Sequence, residues 1–175
     1  MVLNTHSKTQ SVQNGFTLIE VMVVVVIFGV LSALAAPTFQ QSYDRFKFHD
    51  GERIVSSSLK KARSFAVSSK APVGVHFNTE SRAVTIFKNT TNPSQASFES
   101  TDSVYSIDTL QEDFSYVYAD MTNNAVLFQP NGSANFGGSG NVYLIGESSN
   151  LLAYFSISIL ASTGRVGSAS HFYNW

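Results

Sequence analysis

The chain has 175 residues, 43% of them hydrophobic and 13% charged, which suits one folded domain and argues against wholesale disorder. A formal net charge of −1 excludes a uniformly basic nucleic-acid binder and an acidic tail protein. The absence of cysteine excludes a disulfide framework, thiolate metal sites and a cysteine nucleophile.

Apolar residues pile up near the N-terminus. Residues 16–36 read FTLIEVMVVVVIFGVLSALAA, 21 residues with Glu20 as their one ionisable side chain. A helix of that length spans roughly 30 Å, the thickness of a bilayer's hydrocarbon core. Three readings fit. A secretory signal peptide would use Lys8 in its n-region, residues 21–30 as its h-region and Ala33-Leu34-Ala35 as its cleavage site. A long polar n-region with one lysine, and a carboxylate at the mouth of the apolar run, speak against it. A plain signal anchor accounts for everything except Glu20 and the residues just before it. The third reading starts from that glutamate, because a carboxylate in a membrane helix costs roughly 2.5–3.5 kcal/mol, less near the interface. A cut between Gly15 and Phe16 would release an α-amine one helical turn away or on a neighbouring molecule, a cation that compensates the charge.

Gly15-Phe16-Thr17-Leu18-Ile19-Glu20 ahead of an apolar run, behind a short polar leader, resembles the signal of type IV pilins and type II secretion pseudopilins. The resemblance implies that residues 1–15 are a leader removed by a prepilin peptidase, that Phe16 is N-methylated, and that Glu20 docks subunits by pairing with a neighbour's α-amine. It implies a transmembrane and assembly helix at residues 16–37, and a periplasmic domain at 38–175 held at the bacterial inner membrane by a single pass. The partners it implies are other pilins or pseudopilins, the peptidase and an inner-membrane assembly platform.

Pro37 removes the backbone bond to Ala33, so a helix running through it is expected to bend there. Between about residues 38 and 69 the pattern becomes amphipathic: Phe48, Ile54, Val55, Leu59, Ala62, Phe65 and Ala66 share one apolar face. Arg53, Lys60, Arg63 and Lys70 form a stripe to one side, with Lys61 on the other flank. Tyr43 and Phe46 lie off the buried face, where neighbouring subunits could meet them, and Pro72 ends the helix. Charge is polarised along this part of the chain. Residues 45–88 hold nine basic and three acidic side chains, a net of +6, and residues 89–150 hold seven acidic and no basic ones.

After Pro72 the signals are those of strands. Residues 73–77 and 83–87 flank a short loop and read as a hairpin. Residues 89–106, rich in Ser, Thr and Asn, read as a long loop. Further strands are expected at 114–118, 125–129, 142–145 and 152–160, with Asn131-Gly132 and Gly137-Gly138-Ser139-Gly140 as turns and the aromatic residues 171–175 packed against the sheet. One long helix followed by strands joined by short turns is α+β, with the amphipathic half of the helix on an antiparallel sheet. The run Leu59-Lys60-Lys61-Ala62-Arg63-Ser64-Phe65-Ala66-Val67, followed by Phe128-Gln129-Pro130-Asn131-Gly132-Ser133 and Thr163-Gly164-Arg165-Val166, resembles the H-type pseudopilins and FimT-like minor pilins.

Catalysis has little to stand on. His6, His49, His76 and His171 lack metal-ligand spacing, and no G-x-S-x-G elbow occurs. No metal or cofactor is expected, and the spacing of Asp108, Glu112, Asp113 and Asp120 matches no Ca²⁺-loop template. The resemblance implies a structural minor pseudopilin or minor pilin. Its alternative is a DNA-binding minor pilin of an uptake pilus, in which Arg53, Lys60, Lys61, Arg63, Lys70 and Arg165 neutralise phosphates. Against that alternative, Gly164-Arg165 is followed by Val166-Gly167-Ser168 rather than by a second arginine, and contact of the stripe with an acidic neighbouring subunit competes with it.

Overall fold

The computed structural model describes residues 15–90, 94–136, 138–149 and 151–174. The expected leader, apart from Gly15, lies outside these residues, as do Gly137 and Trp175. The architecture is α+β: among the described residues one 52-residue helix, α1 (Leu18–Ser69), is followed by nine strands.

The chain divides into two compact units, Met1–Gln40 and Gln41–Trp175. In the first, α1 begins beside Thr17, whose Oγ1 accepts a hydrogen bond from the Glu20 backbone N–H at 3.3 Å. Its side chains from Leu18 to Leu34 are exposed, including Val21 to Ile27, so this stretch satisfies its own backbone and buries nothing. By length and composition it is apolar enough to cross a membrane. Pro37 lies inside the helix, which continues past it.

The second unit contains the core. Strands β1 (Val73–Asn78), β2 (Ala83–Lys88), β3 (Ser103–Thr109), β5 (Ala125–Phe128) and β6 (Ala134–Asn135) form a sheet in the order β3-β2-β1-β5-β6. A second sheet has the order β4-β7-β8-β9, from β4 (Phe114–Met121), β7 (Gly138–Ser148), β8 (Leu151–Leu160) and β9 (Arg165–Asn174). Every pairing is antiparallel. The helix buries Phe48, Gly51, Val55, Ser58, Leu59, Ala62 and Ala66, a row at three- and four-residue spacing that meets residues of both sheets. Small residues let the backbones approach. A Cβ on Gly51 would run into the Phe114 ring and one on Gly146 into the Phe48 ring, while these two rings meet edge to face at 5.8 Å.

Five expectations change. Phe65 is not in the core: it is 40% exposed and its ring lies 5.3 Å from that of Tyr105, because Ala62 and Ala66 already fill the helix's contact line. Ile54 is half-buried at the edge of the core. The serine-rich loop ends at Asp102, since Ser103, Val104, Ser106 and Ile107 pair with β2, with Tyr105 at a shift of register between them. Gly138 to Gly140 belong to β7 rather than to a turn; Gly140 adopts a φ of +72°, with the Phe136 ring where a side chain would stand. The C-terminal aromatics do not merely cover the sheet, because β9 pairs with β8 from Arg165 to Asn174 and forms its edge, with Phe172 turned toward Phe155 and His49.

Candidate functional site

The head of α1 is built by its sequence. Thr17-Leu18-Ile19-Glu20 has the S/T-x-x-E spacing of a capping box, and Thr17 bonds the N–H of the residue three positions on, as that motif requires. Glu20 also stands in the first turn, where the helix dipole favours an anion. Thr17 was not among the sequence candidates, although its spacing to Glu20 was there to be read. Gly15 and Phe16 precede the helix outside any regular element, and Phe16 is 84% exposed. The expected cleavage point, the expected methylation point and the carboxylate fall within the six residues 15–20.

The basic residues separate into distinct settings. Lys60, Arg63 and Arg165 line one open groove of about 620 Å³ with Val67 and Gly164. Arg63 has a second occupation there: its Nε donates to the carbonyl of Gly132 at 3.1 Å, across 69 residues of sequence. Gly132 sits in a turn closed by bonds from the Gly132 N–H to the Gln129 carbonyl and from the Gln129 N–H to the Ser133 carbonyl. A Cβ on Gly164 would collide with that same Gly132 oxygen, so the guanidinium and two glycines tie the helix to the turns after β5 and β8. Arg53 lines a separate groove with Glu52, His49 and Lys60, where a carboxylate offsets part of the charge. Lys61 and Lys70 are exposed and line neither groove.

The acidic side chains are dispersed. Asp108 accepts a hydrogen bond from the Ser58 hydroxyl at 2.9 Å, and Asp113 pairs with Lys47. Among the described residues no three His, Asp or Glu side chains come together as a metal site. The histidines are placed by packing: His49 lies against Phe155 and Phe172, and His76 stacks on Phe98 at 5.4 Å. Burial in β1 lowers the pKa of His76 below its ordinary value.

Comparison with known proteins gives this arrangement a context. Residues 10–36 match the prokaryotic N-terminal methylation motif, and residues 53–160 match the family described as type II transport protein GspH. A fimbrial protein of Moraxella nonliquefaciens is 39% identical over 61 residues, covering 31% of this chain and 40% of that protein. The fimbrial protein EcpC of Eikenella corrodens is 32% identical over 69 residues, covering 39% of this chain and 38% of that protein. The chain thus spans about two fifths of the length of these curated relatives. Two crystal structures of the type IV minor pilin FimU from Pseudomonas aeruginosa align at 15% identity with TM-scores of 0.44 and 0.46, covering 69% and 70% of this chain and 91% and 88% of FimU. The GspH family model runs from the middle of α1 to the end of β8 and the methylation motif covers the helix's apolar start, so the chain belongs to the GspH family of the type IV pilin and pseudopilin superfamily, whose members are structural subunits rather than enzymes.

Proposed function

We propose that this chain is a minor subunit of a type II secretion pseudopilus or type IV pilus. It is made as a precursor, cleaved after Gly15 by a prepilin peptidase and methylated on Phe16. Residues 16–37 hold it in the inner membrane, with residues 38–175 in the periplasm, until an inner-membrane platform extracts it into a filament of other pilins. The observation that carries this reading is the capped start of α1, where Glu20 stands as the one charge on an exposed apolar helix immediately behind an accessible Gly15-Phe16 bond. Helix packing supplies affinity, and Glu20 meeting a neighbour's Phe16 α-amine where water is scarce fixes register. Pro37 weakens the helix at the base of the anchor, where a bend or local melting would let α1 adjust on assembly. Intact mass and N-terminal sequencing of the protein from its host should find a chain that starts at methyl-Phe16. A chain starting at Ala36, or one retaining all fifteen leading residues, overturns the proposal.

The shared groove of Lys60 and Arg165 favours one second reading, phosphate binding by a DNA-uptake pilin. Arg63 is partly committed to Gly132, which leaves fewer free cations than the stripe suggests. A gel-shift of the soluble unit across a salt series separates the readings. Two or three phosphate contacts give an affinity that falls with salt with a log–log slope of roughly −2 to −3. Absence of a shift at low salt eliminates DNA and leaves contact with an acidic subunit.

A further inference from the structure

The face of the β4-β7-β8-β9 sheet turned away from α1 carries a bank of tyrosines. Cross-strand register lays out three rows: Tyr116, Ile145, Tyr154 and His171; then Tyr118, Tyr143, Ser156 and Ala169; then Asp120, Asn141, Ser158 and Gly167. Tyr116 and Tyr118 stack at 6.0 Å, Tyr118 and Tyr143 at 6.3 Å, and Tyr143 and Tyr154 at 6.0 Å, all within 28° of parallel. Tyr173 extends the bank at the β9 edge, one row beyond Tyr154, and burial together with the phenols of Tyr143 and Tyr173 raises the pKa of Tyr154. Tyr116, Tyr118 and Tyr173 remain 45%, 39% and 56% exposed, although the opposite side chains of the same strands, such as Val117, Leu144 and Phe155, are buried. Stacking against one another holds these rings in place without a partner, so the platform exists before any ligand arrives.

The chemistry of the three rows narrows the occupant. They contain one carboxylate, Asp120, and no lysine or arginine; the row of Tyr173 adds Glu147, and Arg165 stands one row beyond Gly167, so a nucleic-acid strand would find rings to stack on but a single arginine at one end for its phosphates. Beside the bank, Ser156, Ser158, Asn141, Ala169 and Gly167 make a low, hydroxyl- and amide-bearing floor in place of the aliphatic side chains that fill the core of a dry protein interface. A sugar ring has apolar C–H faces and hydroxyl edges, the counterpart of an aromatic bank beside a polar floor, and rings in series across several strands suit a chain of sugars. We propose that this sheet face binds an uncharged polysaccharide laid across the strands, with sugar faces on Tyr118, Tyr143 and Tyr154 and hydroxyls on Ser156 and Ser158.

The test uses the soluble unit Gln41–Trp175, which contains the whole core, so its outcome is independent of leader cleavage and filament assembly. Retention is measured on cellulose, chitin and a mixed-linkage β-glucan, with oligo(dT) as the polyanion probe and light scattering as the monitor of self-association. The expected result is retention on at least one of the three polymers, insensitive to 1 M salt, and reduced at least tenfold by Tyr118→Ala and by Tyr154→Ala. Tyr154→Phe, which keeps the ring and loses its hydroxyl, should fall between, and Phe65→Ala, off this face, should bind as the parent does. Variants that lose their cooperative melting transition are replaced by Tyr116→Ala at the exposed edge of the bank. The proposal is overturned by no retention on any of the polymers, by retention equal in all variants, by binding that follows oligo(dT) and salt, or by self-association that the tyrosine substitutions abolish.

Discussion

Glu20→Val is expected to insert into the membrane as well as the parent, and to reach the filament at less than about one tenth of the parental level, a loss of more than about 1.4 kcal/mol in assembly. Removing a carboxylate from an apolar helix favours insertion, so a defect confined to assembly isolates the docking role. The capping box supplies the competing explanation, since Thr17 and Glu20 together also organise the helix start. Glu20→Gln separates the two. Glutamine serves a capping box nearly as well as glutamate but cannot neutralise an α-amine. Docking therefore predicts that the glutamine variant fails to assemble much as the valine variant does, and capping predicts near-parental assembly. Fractionation followed by quantitation in sheared filaments reads both steps.

Phe48→Ala is expected to be the most damaging single truncation in the soluble unit. Phe48 is 1% exposed, meets the Phe114 ring edge to face, and fills the notch that Gly146 leaves in β7. Deleting a fully buried phenyl ring removes its transfer free energy and leaves a cavity, together about 3–5 kcal/mol. For a domain of this size that lowers the melting temperature by roughly 10–20 °C. Phe65→Ala removes the same ring from a 40% exposed position on the same helix, and its effect should be below about 1.5 kcal/mol. Urea titration of residues 41–175 measures both. Equal losses would mean that the amphipathic face was assigned wrongly.

That contrast also marks what could be read from the sequence. The 100° periodicity placed Phe48, Val55, Leu59, Ala62 and Ala66 on one buried line, and they are there. It could not tell that Phe65, at the margin of the same arc, would lie against Tyr105 with its ring tilted, because the position of β3 depends on pairing with β2, remote in sequence. Strand cores rich in Val, Ile and Phe were legible; β9 was not, because Gly167, Ser168, Ala169 and Ser170 carry no strand signal and are held by β8 alone. At the candidate site, Gly15, Phe16 and Glu20 stood out because their spacing is local. The occupation of Arg63 by Gly132 is a contact across 69 residues, and no helical wheel reveals it.

The reciprocal fit of Gly51 against Phe114 and of Gly146 against Phe48 has a mechanical consequence. Sliding the helix one turn along the sheets would drive each ring out of its notch and into a neighbouring backbone. Axial tension on this part of α1 thus meets toothed resistance rather than a smooth surface, and the load passes into the strands as shear.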